Sequence, residues 1–125
     1  MYTITIRKTF SAAHTITLGS IGEPMHGHNF AVEISLESGE LDQEGVVADF
    51  RDIKRHADAV LKDLDHTYLN DVPAFNNVPP TAENIARHIF DSLERAFSPG
   101  RTRISRVTVW ESESARASYG RDGSG

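Results

Sequence analysis

His26-Gly27-His28 is the segment of this chain best suited to chemistry. On a strand, residues two apart point to the same face, with roughly 6.6 Å of backbone rise between them. Gly27 between them lets another backbone or a ligand approach. Both histidines share the parity of Phe30, Val32, Ile34 and Leu36, so they sit at the end of an apolar stripe, away from bulk solvent. His14 ends the preceding strand pattern on its own even parity, and a hairpin across residues 15 to 25 would bring it beside His26. Three imidazoles converging from two strands, with room left for water or substrate, is the open geometry of a catalytic zinc. A His-x-His alone reads sooner as ordinary strand histidines or hydrogen-bonded core groups, because the pattern is short. His14, at a place the hairpin brings close, tips the reading toward a metal.

Three carboxylates are candidates to act with this cluster. Glu23 precedes His26 by three residues and is followed by Pro24, which holds it near any bound metal as a ligand, a general base or a plain loop carboxylate. Asp65-His66 follows the end of a helix, where a carboxylate meets an unfavourable dipole. An Asp beside a His can orient an imidazole for proton transfer; the plainer alternative is a solvated helix end. Glu111 lies on the apolar parity of Val107 and Val109. It must find donors or shift its pKa. The paired N–H edge of a guanidine-like heterocycle would serve, and so would an ion pair or water at the strand end. Trp110, Arg116 and Tyr119 read as surface or packing residues, and His56 and His88 as helix histidines outside the cluster.

The elements that must position these residues follow from periodicity. Residues 2 to 14 and 26 to 37 alternate as strands, with a loop carrying Gly19, Gly22 and Pro24 between them. Val46-Val47 is a candidate short edge piece. A helix is expected from Phe50 to Leu64, capped by Asp49, with Phe50, Ile53, Ala57, Val60, Leu61 and Leu64 as its apolar face. After an irregular segment with Pro73, Pro79 and Pro80, a second helix starts behind Thr81 as N-cap with Glu83 in its first turn. It buries Ile85, Ile89, Leu93 and Ala96, flanked by Ala86, Phe90 and Phe97, and stops at Ser98-Pro99-Gly100. Strands over 103 to 111 and 115 to 120 complete an order ββααββ. This is an α+β layout: an antiparallel four-stranded sheet with two helices on one face, the other face left to water or partner subunits. Residues 1–120 read as one domain and 121–125 as a frayed tail.

Composition excludes several classes of function. With 13 basic and 18 acidic residues the net charge is -5, which offers no field for nucleic acid. There is no cysteine, hence no disulfide, thiolate ligand or cysteine nucleophile. No apolar stretch approaches the roughly 18 residues of a membrane span. A soluble cytoplasmic protein is expected.

Taken together, Phe10-Ser11-Ala12-Ala13-His14, His26-Gly27-His28-Asn29-Phe30, Val47-Ala48-Asp49-Phe50, Leu64-Asp65-His66-Thr67-Tyr68-Leu69-Asn70-Asp71, Pro80-Thr81-Ala82-Glu83-Asn84 and Val109-Trp110-Glu111 resemble, in order, the 6-pyruvoyl- and 6-carboxy-tetrahydropterin synthase family. The resemblance implies the tunnelling (T) fold and a homohexamer with active sites between subunits. It further implies zinc on His14, His26 and His28, a pterin ring held by Glu111, and Asp65 and His66 as a proton-transfer pair reaching the site from a neighbouring subunit. Thr81 and Glu83 fall in the segment that frames the pterin pocket. Where the synthases carry a catalytic cysteine, this chain has Gly22. Its Glu23 matches a variant branch that releases the side chain of 7,8-dihydroneopterin triphosphate to give 6-hydroxymethyl-7,8-dihydropterin, a folate precursor. A 6-carboxy- or 6-pyruvoyl-tetrahydropterin synthase activity and a pterin-binding homologue without catalysis are the alternatives.

Overall fold

The computed structural model describes residues 1–97 and 100–121. Its framework is a hairpin of two long strands, β1 (Tyr2–His14) and β4 (His26–Ser38), paired antiparallel without interruption from Tyr2 opposite Ser38 to His14 opposite His26. Strict alternation sets this register. Ile6, Phe10, Ala12, Phe30, Val32, Ile34 and Leu36 are all buried on one face, and a slip of one residue would turn every one of them outward. The 11 intervening residues are not a plain loop. They carry a small two-stranded ribbon, β2 (Thr17–Leu18) against β3 (Ile21–Gly22), with Gly19 at φ 62° in its turn.

Strand β6 (Arg103–Ser112) pairs antiparallel with β4, and β7 (Ala115–Gly120) with β6. A two-residue strand, β5 (Thr67–Tyr68), adds in parallel to the outer edge of β1 at Ala12 and Ala13. The sheet is therefore five-stranded in the order β5-β1-β4-β6-β7, one short parallel strand more than alternation shows. A strand of two residues has no period to read.

Helices α1 (Phe50–Lys62) and α2 (Ala82–Phe97) cover one face of the sheet. Asp49 caps α1 by accepting from the Arg51 N–H. Ile53, Ala57 and Leu61 of α1 and Ile85, Ala86, Ile89, Phe90 and Leu93 of α2 join the sheet's buried stripe in one core. Three details depart from the periodicity. Leu64 is fully buried although the helix ends at Lys62, because the chain turns back into the core there. Phe50 and Ala96, expected on the apolar faces, are exposed at the ends of their helices, beyond the reach of the sheet. Val47 is buried without forming a strand; its carbonyl accepts instead from Arg101 and Thr102.

The stop at Ser98-Pro99 and the tail beyond residue 121 lie outside the described residues. Arg121 itself, expected in the frayed tail, is anchored: its N–H donates to the Ser105 carbonyl and its guanidinium to the Ile104 carbonyl and the Glu94 carboxylate. The face of the sheet turned away from the helices is polar. Arg7 pairs with Glu33, Trp110 donates to Glu33, and the guanidinium groups of Arg7 and Arg116 lie 5.8 and 4.8 Å from the Trp110 ring centre.

Candidate metal centre and active site

The β1–β4 register places His14 and His26 directly opposite one another, with His28 opposite Ala12 one step inward. The small side chain of Ala12 leaves the space beside His28 open. Phe30, stacked on Phe10 at 4.9 Å, is the floor: its ring lies edge-on to His14 at 5.5 Å and 5.3 Å from His28. The three imidazole centres are 4.5 to 5.2 Å apart.

Two of these rings are oriented by backbone carbonyls. The Nδ1 atom of fully buried His14 lies 2.8 Å from the Pro80 carbonyl, and that of His26 lies 2.8 Å from the Pro24 carbonyl. A carbonyl can only accept, so each Nδ1 carries the proton and each Nε2 presents a lone pair. An outer partner that fixes the tautomer in this way is what metal-binding histidines require. Both carbonyls belong to prolines, and neither could be assigned from side-chain types in the sequence.

Glu111 joins the cluster from β6. The β6–β7 register shifts between Trp110 and Ser112, and Glu111 occupies that bulge. A bulge frees a residue from the ladder and re-aims its side chain. The Glu111 Oε1 atom lies 3.0 Å from His14 Nε2 and 3.4 Å from His28 Nε2. Yet both nitrogens are buried and without a hydrogen-bond partner. The potential ligand atoms of His14, His26, His28 and Glu111 all fall within 4.8 Å of one another. Four nitrogen and oxygen donors about a tetrahedral cation stand about 3.4 Å apart, from metal–ligand lengths of 2.0–2.2 Å. Ring nitrogens and a carboxylate converging on one point, with no hydrogen bond between them, fit a divalent cation. Burial lowers the pKa of His28 most strongly; Glu111 opposes that, His26 and His14 reinforce it, and Glu23 weakly opposes it. The net effect keeps the ring neutral, as a ligand must be.

Glu23 is fixed in the turn that leads into β4. Its N–H donates to the Ile16 carbonyl at 2.8 Å, directly after Gly22 leaves the small ribbon opposite Thr17.

The remaining residues singled out from sequence are placed as follows. Asp65 and His66 lie off the outer edge of β1, on the side away from β4, and are not part of the histidine cluster of the same chain. The Ser11 N–H donates to Asp65 Oδ1 at 2.8 Å, the His66 N–H donates back to the Ser11 carbonyl, and Asp65 Oδ2 lies 3.0 Å from His66 Nδ1. The Ser11 amide explains how Asp65 tolerates a helix C-terminus. It is also the first cause of the lowered Asp65 pKa, ahead of the charge of His66. His66 is exposed and held at φ 59°, a left-handed conformation unusual for a side-chain-bearing residue. Such strain persists where the surroundings over-determine it, typically at functional sites.

The sign of the Asp65 shift gives a testable outcome. A carboxyl whose folded pKa is depressed contributes stability that is present above its unfolded value near 3.9 and lost as pH falls through the folded value. Asp65→Asn is therefore expected to lower Tm at pH 7 and to have a shrinking effect as pH approaches 3. A pH-independent Tm difference would show that the carboxylate charge contributes nothing.

Thr81 is half-buried and caps α2, its Oγ1 accepting from the Asn84 N–H at 3.2 Å, while Glu83 is exposed in the first turn. Thr81→Ala is expected to cost about 1 kcal/mol through the lost cap, and Thr81→Ser close to nothing; chemical denaturation separates the two. Asn70, missed in the sequence, ties down the chain just past His14: its side chain accepts from the Thr15 N–H and donates to the Thr15 carbonyl, both at 2.9 Å.

The fold and the cluster define a class: a T-fold α+β protein whose central hairpin ends in a potential metal site. The family model for 6-pyruvoyl tetrahydropterin synthase matches residues 3–122. The dihydroneopterin monophosphate aldolase of Pyrococcus furiosus is 38% identical over 86% of this chain and 88% of its own length. The 6-carboxy-5,6,7,8-tetrahydropterin synthase of Synechocystis is 38% identical over 76% of this chain and 74% of its own. The structure of 6-pyruvoyl tetrahydropterin synthase from Caenorhabditis elegans matches with a TM-score of 0.82 and 27% identity, covering 97% of this chain and 96% of that one. The chain belongs to the 6-pyruvoyl tetrahydropterin synthase family and is an enzyme of the lyase class. Among the described residues no helix is long and apolar enough to cross a membrane.

Proposed function

We propose that this enzyme is a zinc-dependent pterin lyase that cleaves the side chain of a 7,8-dihydroneopterin phosphate, the triphosphate or the monophosphate, and releases 6-hydroxymethyl-7,8-dihydropterin. The observation that carries this reading is the turn into β4. It carries a carboxylate, Glu23, three residues before His26 on a backbone pinned to the Ile16 carbonyl, directly after the position where the synthases have a cysteine and this chain has Gly22, without a side chain. The relative that is 38% identical and called a dihydroneopterin monophosphate aldolase supports it.

His14, His26 and His28 would hold the zinc, with their outer nitrogens steered by Pro80 and Pro24. Zinc, when bound, acts as a Lewis acid on the side-chain hydroxyls and lowers their pKa. Glu23 takes the proton of the second side-chain hydroxyl. The bond between the first and second side-chain carbons then breaks, and the second carbon leaves as an aldehyde. The electron pair passes into the ring's C6=N5 imine, and a proton returned to the first carbon completes the hydroxymethyl product. His66 of a neighbouring subunit, steered by Asp65, would make that return. Glu111 binds the amino-pyrimidine edge of the ring and so fixes its orientation. Thr81 and Glu83 frame the pocket from the start of α2.

Because Asp65 and His66 lie off the far edge of β1, the complete site requires a neighbouring subunit to supply them, which fits a homohexamer. Exposed Leu18, Ile21 and Met25, at 60, 71 and 63%, are apolar surface on the connection between β1 and β4 that such an assembly would cover.

The test is product identification by mass spectrometry after zinc-loaded protein meets each phosphate ester. Formation of 6-hydroxymethyl-7,8-dihydropterin establishes the reading, and the faster ester names the substrate. Formation of 6-carboxy-tetrahydropterin from the triphosphate would replace it with the synthase reaction of the Synechocystis relative.

A further inference from the structure

We propose that Glu111 is the fourth ligand of the metal in the substrate-free enzyme, and that its carboxylate leaves the metal for the pterin ring when substrate binds. The inference rests on the zinc reading above and adds a second task to a residue otherwise assigned only to the ring.

Geometry carries it. Counting along the β4–β6 ladder, Ala31 faces Trp110, so Glu111 falls in the row of Phe30, one row inward from His28. On a flat ladder its side chain would stand over Phe30. The bulge at Glu111 tilts it along the strand toward the histidines instead, and its oxygen comes to 3.0 and 3.4 Å from two Nε2 atoms. That separation is close to the spacing of two donors on one tetrahedral ion. Among the described residues no N–H or O–H donates to this carboxylate, although its side chain is only 31% exposed. A partly buried carboxylate favours a positive partner or donors. Here the atoms it meets are the nitrogens that themselves lack partners. Since Nδ1 of His14 donates to Pro80, its Nε2 and the carboxylate repel unless a proton or a metal ion stands between them, and no hydrogen bond joins the two.

The same carboxylate cannot bind the metal and both donors of a pterin edge at once. Ring binding would therefore pull Glu111 off and open the fourth position at the moment the substrate's hydroxyls arrive. Coupling of this kind makes the metal reactive only when the ring is seated, a form of induced fit.

The test reads the metal rather than turnover. Zinc Kd is measured by chelator competition for wild type and Glu111→Gln. The visible bands of the cobalt(II)-loaded proteins are recorded with and without 6-methyl-7,8-dihydropterin, which has the ring but no hydroxyl to bind metal. Glu111→Gln is expected to weaken zinc by at least the roughly tenfold that loss of an outer-shell partner costs. Its cobalt bands are expected to differ from wild type, and the pterin is expected to move the wild-type bands toward those of the variant while leaving the variant unchanged. Equal zinc Kd and coincident bands would overturn the ligand assignment. Wild-type bands indifferent to bound pterin would overturn the exchange, and that result does not depend on how well the variant folds. A wild-type protein that takes up neither metal would instead overturn the zinc reading itself, and the ligand role with it.

Discussion

Glu23→Ala is expected to lower turnover of the dihydroneopterin phosphate by about 10²–10⁴-fold, the usual contribution of a positioned general base, with zinc content and fold unchanged. The expectation follows from how Glu23 is held. Its backbone is pinned to Ile16 and its neighbour Gly22 is locked in the β2–β3 ribbon, so the carboxylate is carried on a braced turn rather than a free loop. The three imidazoles and Glu111 already make four donors, so removing Glu23 leaves the metal's own ligands intact. Metal analysis and single-turnover kinetics on the same sample separate the two roles. Full turnover in the zinc-loaded variant would remove Glu23 from the mechanism. Loss of zinc together with turnover would make it a ligand instead. Glu23→Gln, which keeps the shape and loses the basicity, is expected to behave like the alanine variant. Glu23→Asp, which keeps the carboxylate on a shorter arm, is expected to recover part of the rate.

The second large effect separates histidines that look alike in the sequence. His14→Ala and His26→Ala are both expected to lose zinc and with it detectable activity. Their effects on the metal-free fold should differ. His14 is completely buried, and its ring satisfies the Pro80 carbonyl at the entrance to α2. Truncation leaves that carbonyl without a donor and opens a cavity beside Phe30; the unsatisfied acceptor alone costs about 1–3 kcal/mol. His26 is partly exposed, and its carbonyl partner, Pro24, can turn to water. Urea denaturation of the apo proteins is expected to show His14→Ala clearly destabilised and His26→Ala near wild type. Equal loss in both would mean that the Pro80 contact does not stabilise the fold. Retained zinc in either variant would break the three-histidine assignment.

The main strands and both helices were legible because each is long enough to show its period. Thirteen alternating residues in each of β1 and β4 define the buried face, and with it the register that sets His14 opposite His26. The convergence of His14, His26 and His28 follows from that alternation and from a connection short enough to close a hairpin. The order of elements, the polar free face and the caps Asp49 and Thr81 are local matters of the same kind.

What the chain alone could not show depends on partners distant in sequence. Asp65 looked misplaced at a helix end until the Ser11 amide, 54 residues away, supplied its hydrogen bond. The rings of His14 and His26 take their orientation from backbone carbonyls, and every residue has one of those, so no residue type marks them. Glu111 was marked as a carboxylate on an apolar stripe. Its arrival at the histidines needed the β4–β6 register and a bulge, both decided by strand pairing after the helices have intervened in the chain. Periodicity determined which face each residue occupies; packing across the sheet decided which of them meet at one point, because contact between strands is a property of register and not of any single segment.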